Sequence, residues 1–234
     1  MTKINDILKK TKIKLLLISF PHNPTTLTVD QIFYDSLIEL AEEYGFLIVN
    51  DFAYSDVYFE KNKPPSLLAS DKNLKHSVEL YSLTKGYSMA GWRVGFAVGN
   101  SDAVGALTKL KSYIDYGTFQ PIQIASTVAL NELDDYPFEL STVYKERRDL
   151  VQEYLEDLEF IVQESDATMF VWAKLPKRFN KDSLKFSLDI LEKSNVAISP
   201  GIGFGKFGEG HIRIALVENK QRIRQAMKNI KAAL

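Results

Sequence analysis

The chain has 234 residues, enough for one large domain or two modest ones, and its 45% hydrophobic and 25% charged content is ordinary for a globular protein. A net charge of −1 gives no electrostatic reason to expect nucleic acid or an anionic membrane as partner. There is no cysteine, which excludes disulfides, thiolate metal sites and thiol nucleophiles.

The lysines near the N-terminus precede an apolar run, Leu15 to Phe20, that is too short for a signal segment and lacks a small-residue cleavage site. Nothing approaches the length of a membrane span, so a cytoplasmic protein is the expectation. The run LLLISF (15–20) stops at Pro21 and reads as a buried strand, with the turn-rich HNPTT after it. Between residues 28 and 44 apolar side chains recur at helical spacing: Ile32, Phe33, Leu37, Ile38, Leu40 and Ala41. Thr28 or Asp30 caps that helix, and Gly45 ends it. FLIVNDFAY (46–54), HSVELYSL (76–83) and RVGFAVGN (93–100) read as further strands. Strands spaced by a helix in this way predict right-handed crossovers and a largely parallel α/β sheet.

The second half changes character. DYPFELSTVYKERRDLVQEYLEDL (135–158) predicts a long helix with one solvated face. Short strand-like segments, a helical stretch near 181–194 and the terminal helix from Asn219 then suggest a smaller α+β domain, joined through the long helix. No internal repeat or low-complexity segment is present.

Four separated places carry residues suited to one chemistry. In YSLTKGYSMAGWRVGFAVGN (81–100), Lys85 follows a strand at the mouth of the sheet. Its amine suits an imine with a phosphorylated aldehyde cofactor, while Ser82, Thr84 and Arg93 suit the phosphate. In NDFAY, Asp51 ends an apolar strand, where a carboxylate needs a partner such as a pyridinium nitrogen. Tyr54 beside it can donate to a phenolic oxygen; a helix-capping aspartate and a packing tyrosine are the plainer alternatives. In PHNPTT (21–26), two prolines fix a turn that presents the Asn23 amide, although a proline-stiffened turn alone explains the pattern. In HIRIALVEN (211–219), Arg213 stands on a half-buried strand and needs an anion, either a substrate carboxylate or a structural glutamate.

Two patterns are set aside. GFGKFG (203–208) matches the glycine spacing of a dinucleotide loop, but a strand follows it where such a loop opens a helix, so it reads as a flexible segment near the substrate pocket. His22, His76 and His211 are too scattered for a metal site, and no metal is expected.

These motifs resemble those of fold-type-I pyridoxal-phosphate (PLP) aminotransferases of class I/II. The whole chain is similar to the C-terminal three-fifths of such an enzyme, from Asn-Pro-Thr to the terminal helix. The segments KSYIDYGTFQPIQIA (111–125) and ISPGIGFGKFGEGHIRIALVENKQRIRQAMKNIKA (198–232) are most similar to bacterial alanine (glutamate–pyruvate) and LL-diaminopimelate aminotransferase-like members. The resemblance implies an α/β fold: residues 1–135 as the C-terminal part of a PLP-binding large domain whose N-terminal part is absent, and 136–234 as a small α+β domain. It implies that Lys85 forms the internal aldimine, that Asn23 and Tyr54 bind the cofactor's phenolic oxygen, and that Asp51 binds its pyridine nitrogen. Ser82, Thr84 and Arg93 fall at the phosphate, Thr84 where many relatives have serine, and Arg213 with Asn23 at the substrate α-carboxylate. The implied activity is transamination between an amino acid of alanine or aspartate type and 2-oxoglutarate, in a homodimer. Dicarboxylate-specific relatives carry a second arginine some way after the lysine; Tyr116 to Gln120 contains none, which favours small substrates such as alanine. A carbon–sulfur lyase on the same fold, or a non-catalytic fragment acting through association, are the alternatives.

Overall fold

The computed structural model describes residues 2–59, 63–179 and 181–234. Contacts divide the chain into two compact units: one runs to Pro21 and resumes over Thr28–Phe138, and the other comprises His22–Leu27 and Glu139–Leu234.

In the first unit, helix α1 (Thr2–Leu8) and strand β1 (Leu15–Ser19) lead into helix α2 (Gln31–Tyr44) and strand β2 (Leu47–Asp51). Strands β3 (Ser77–Ser82) and β4 (Gly95–Gly99) complete a four-stranded sheet in sequence order. β1, β2 and β3 run parallel, as the strand–helix spacing predicts, whereas β4 pairs with β3 antiparallel. The reason lies in residues 83–94. They fold into a one-turn helix α3 (Leu83–Gly86) and a 3₁₀ turn (Ala90–Trp92) at the end of β3, so this short connection re-enters the sheet where β3 leaves it, whereas the longer stretch 52–76 between β2 and β3 returns the chain to the far end.

Helix α2 is capped by Asp30, whose Oδ1 accepts a hydrogen bond from Phe33 N at 2.8 Å, and it ends at Gly45 with φ 70°. Its buried stripe is Tyr34, Leu37, Ile38 and Ala41, which a helical period places on one face. Ile32, expected on that stripe, is 72% exposed: two residues before Tyr34 is roughly 200° around the helix. Nor is β1 the buried strand its composition suggests. Leu16 and Ile18 pack on the α2 core, while Leu15 and Leu17 are 50% and 65% exposed, because alternate side chains of a strand point to opposite faces and β1 is an edge.

A buried polar network ties the sheet to α2 and to the long β2–β3 connection. Asn50 Nδ2 donates to the Tyr34 hydroxyl and to Glu79 Oε1, each at 3.2 Å. Glu79 also accepts from Ser66 Oγ and Leu67 N at 2.6 and 2.7 Å. Burial, helped by the Glu79 charge, pushes the Tyr34 phenol up, so it remains a protonated member of the network. Helices α4 (Ser101–Ile114) and α5 (Gln120–Glu132) complete the unit between the last expected strand and the long helix. Asn100 caps α4 by accepting from Ala103 N at 2.9 Å, and proline stands in the first turn of α5.

The second unit takes most of the long helix α6 (Tyr136–Asp157) and then strands β5 (Ile161–Val162) and β6 (Phe170–Lys174). Helix α7 (Ser183–Ser194), strands β7 (Ser199–Pro200) and β8 (His211–Ala215), and helix α8 (Lys220–Ala233) follow. The strands form an antiparallel sheet in the order β5-β6-β8-β7, which puts β8 in its interior. Asp182 and Asn219 cap α7 and α8, and Phe186, Ile190, Ile223, Met227 and Ile230 bury their apolar faces. The glycine-rich stretch before β8 forms two 3₁₀ turns, Gly201–Phe204 and Lys206–Gly208. Its glycines serve a close backbone approach: a Cβ on Gly201 would lie 1.9 Å from the Gly208 carbonyl oxygen.

Candidate active site

The candidate residues fall into two sets, one in each unit. In the first, the parallel register puts Asp51 beside Leu80, so the ends of β2 and β3 emerge together at the carboxyl edge of the sheet. Asp51 is the exposed last residue of β2, and its Oδ1 accepts from Ala53 N at 3.2 Å, which turns the chain into the Tyr54 segment. Tyr54 is buried, and Lys85 Nζ lies 5.7 Å from the centroid of its ring. Ser82 ends β3 and caps α3: its Oγ accepts from Thr84 N at 3.2 Å and donates to Val94 O at 3.5 Å. Thr84 and the half-buried Lys85 stand on that single turn. Arg93, exposed, adopts a left-handed φ of 54° and donates from Nη1 to Ala90 O at 3.2 Å, so its own turn orients it.

Below this turn lies a support that the motif does not reveal. The Tyr81 hydroxyl donates a short hydrogen bond to Asp56 Oδ2, and Tyr81 stacks on Phe96 at 4.9 Å. Burial and then the Asp56 carboxylate push the Tyr81 phenol up, so it stays a donor. Asp56 in turn packs against Gly86, the residue after Lys85: a Cβ there would meet Asp56 Cβ and Oδ2 at 3.0 Å.

In the second set, Arg213 Nη1 donates to Asn23 Oδ1 at 2.7 Å, joining residues 190 positions apart in the chain. Arg213 is half-buried on β8, paired in register with Trp172 of β6 and Ser199 of β7. Its guanidinium carbon lies 4.2 Å from the Phe170 ring centroid and 4.5 Å from that of Phe204. His22, beside Asn23, shares a 2.6 Å hydrogen bond with Thr25 Oγ1, and burial pushes its imidazole pKa down towards the neutral form. The structure thus brings Tyr54 close to Lys85 and Asn23 into contact with Arg213, with Asp51, Ser82, Thr84 and Arg93 on the strand ends and turns of the first unit. Asp56, Phe170 and Phe204 belong to none of the four motifs, and Tyr81 only opens the one that holds Lys85. The aromatic alternation of β6 is a signal for Phe170, and the expected place of GFGKFG near a pocket is one for Phe204. Among the described residues no group of three or more His, Cys, Asp or Glu side chains is arranged to hold a metal, and no helix is long and apolar enough to cross a membrane.

The chain belongs to the aminotransferase class I and II family, whose model matches residues 1–230. It is 42% identical over 222 residues to the glutamate-pyruvate aminotransferase AlaC of Escherichia coli (strain K12), covering 94% of this chain and 54% of that protein. It is likewise 42% identical over 220 residues to the LL-diaminopimelate aminotransferase of Natranaerobius thermophilus, with 94% and 56% covered. The fold matches an aminotransferase structure from Staphylococcus aureus with a TM-score of 0.89 at 35% identity, over 97% of this chain and 60% of that one. The chain therefore spans little more than half the length of the curated relatives it matches.

Proposed function

We propose that this chain carries PLP-holding and carboxylate-binding residues of an aminotransferase that exchanges an amino group between an amino acid of alanine or aspartate type and 2-oxoglutarate. The observation that carries the reading is the Lys85 amine 5.7 Å from the Tyr54 ring, at the strand end where β3 leaves the sheet. The donor set suits PLP: an amine for its aldehyde, a phenol for its ring oxygen, a carboxylate for its ring nitrogen, and hydroxyls with a guanidinium for its phosphate. When bound, PLP supplies an aldehyde that condenses with amines and a ring that accepts the electron pair left as a Cα–H bond breaks.

Each residue then has a task. Lys85 Nζ would hold the cofactor and would serve as the base that takes the substrate's Cα proton and delivers it to the cofactor's aldehyde carbon. Asp51 keeps a proton on the ring nitrogen, and the Tyr54 hydroxyl donates to the ring oxygen. Ser82, Thr84 and Arg93 hold the phosphate. Arg213 receives the substrate α-carboxylate, with Asn23 fixing one edge of its guanidinium and also serving the ring oxygen. In the same reading, residues 1–135 belong to the PLP-binding domain and 136–234 to the small domain of a cytoplasmic homodimer.

The test adds PLP to the purified chain and follows the visible imine absorbance, with Lys85→Ala as control. An absorbance that develops in the parent and is lost in K85A supports the reading. No absorbance in the parent, or an equal signal in the variant, sinks it. A coupled assay with alanine and 2-oxoglutarate then measures amino transfer itself.

A further inference from the structure

The two rings beside Arg213 differ in how they are held. Phe170 stands on β6 two residues from Trp172, which pairs with Arg213, so it shares the arginine's face of the sheet. It is 6% exposed and forms a fixed wall. Phe204 is 38% exposed and closes the 3₁₀ turn between β7 and β8. That turn is anchored at its base by the Gly201–Gly208 backbone contact and by Ile202 N, which donates to Ser183 Oγ at 3.1 Å. Phe204 also meets Trp172 edge-on, with centroids 5.9 Å apart at 82°. Trp172 itself stacks on His211 at 5.2 Å.

We infer that Phe204 is a positioning residue for Arg213. Its ring attracts the guanidinium through the quadrupole and, with Phe170, holds the group in place while its N–H donors remain for an anion. Asn23 fixes one N–H, and the other donors, coplanar in a guanidinium, suit a planar carboxylate. An arginine ordered in advance loses less freedom when the anion arrives, so Phe204 contributes affinity without touching the ligand. This rests on the reading of Arg213 as the carboxylate site, and the test separates the two.

The chain contains two tryptophans, Trp92 and Trp172, so in a Trp92→Phe background the emission reports on Trp172 beside Phe204. This protein is titrated with pyruvate at constant ionic strength, by emission and by calorimetry, the latter being independent of the ring next to the fluorophore. Relative to that parent, Phe204→Leu is expected to weaken pyruvate binding roughly fivefold and Phe204→Ala roughly tenfold, while Phe204→Tyr stays within about twofold. Loss of binding in Arg213→Ala with parent affinity in F204L and F204A overturns the role of Phe204 alone. An F204Y as weak as F204L overturns it too, because the loss then follows packing and not the ring. Unchanged binding in R213A, or no response in the parent, overturns the carboxylate reading and this inference with it.

Discussion

Lys85 and Gly86 are neighbours with opposite requirements: the first needs a long side chain above the strand end, and the second needs none at all. A methyl on Gly86 would press on Asp56 Cβ and Oδ2 at 3.0 Å, and Asp56 cannot swing aside without giving up the Tyr81 hydroxyl. Gly86→Ala is therefore expected to cost about 1–3 kcal/mol of stability, read from its urea unfolding midpoint. A midpoint equal to the parent's shows that Asp56 yields and that the turn is less tightly supported than its geometry implies. At this scale the motif around Lys85 is readable because its residues are contiguous, so strand, hydroxyl, lysine and arginine arrive in order. Asp56 and Tyr81 carry no such signature, since their pairing spans the whole β2–β3 connection.

Among the elements, β3 depends on a tether just before it. Asp71 Oδ2 accepts from His76 N at 2.7 Å and Ser77 Oγ at 2.8 Å, closing the loop that delivers the strand. Burial alone would raise this carboxyl, but the hydrogen bonds from His76 and Ser77 outweigh it and hold its pKa below the ordinary value. A carboxylate lowered in the folded state stabilises fully above its unfolded pKa, and that contribution disappears as pH falls through the folded value. Asp71→Ala should lose about 1–3 kcal/mol at pH 7, with the gap to the parent narrowing below about pH 4. Urea titrations at both pH values measure it; a gap independent of pH rules out the ionised tether. The periodicity of α2 is legible down to its Asp30 cap and Gly45 stop, because helix spacing and capping are local. The exposure of Leu15 and Leu17 is not, because a run of leucines reads alike on a central and an edge strand.

For the molecule as a whole, the proposed cofactor acts as a ligand of the folded state. PLP at a hundredfold excess over its dissociation constant should add about 2.7 kcal/mol to the unit that binds it, visible as a raised thermal midpoint. Lys85→Ala should remove most of that rise. A midpoint unmoved by PLP in the parent speaks against binding to this chain. Because contacts divide the chain into two units, the shift is best followed by probes in each, such as Trp92 in the first and Trp172 in the second.

The family, the parallel-dominated α/β class and the succession of the principal strands along the chain are legible in the residues alone, because these depend on contiguous motifs and on short-range periodicity. The antiparallel course of β4, the meeting of Asn23 with Arg213 and the place of Phe170 and Phe204 beside the guanidinium arise in the folded chain and nowhere earlier. Those facts depend on the path the chain takes between distant residues, and no local pattern of side chains records that path.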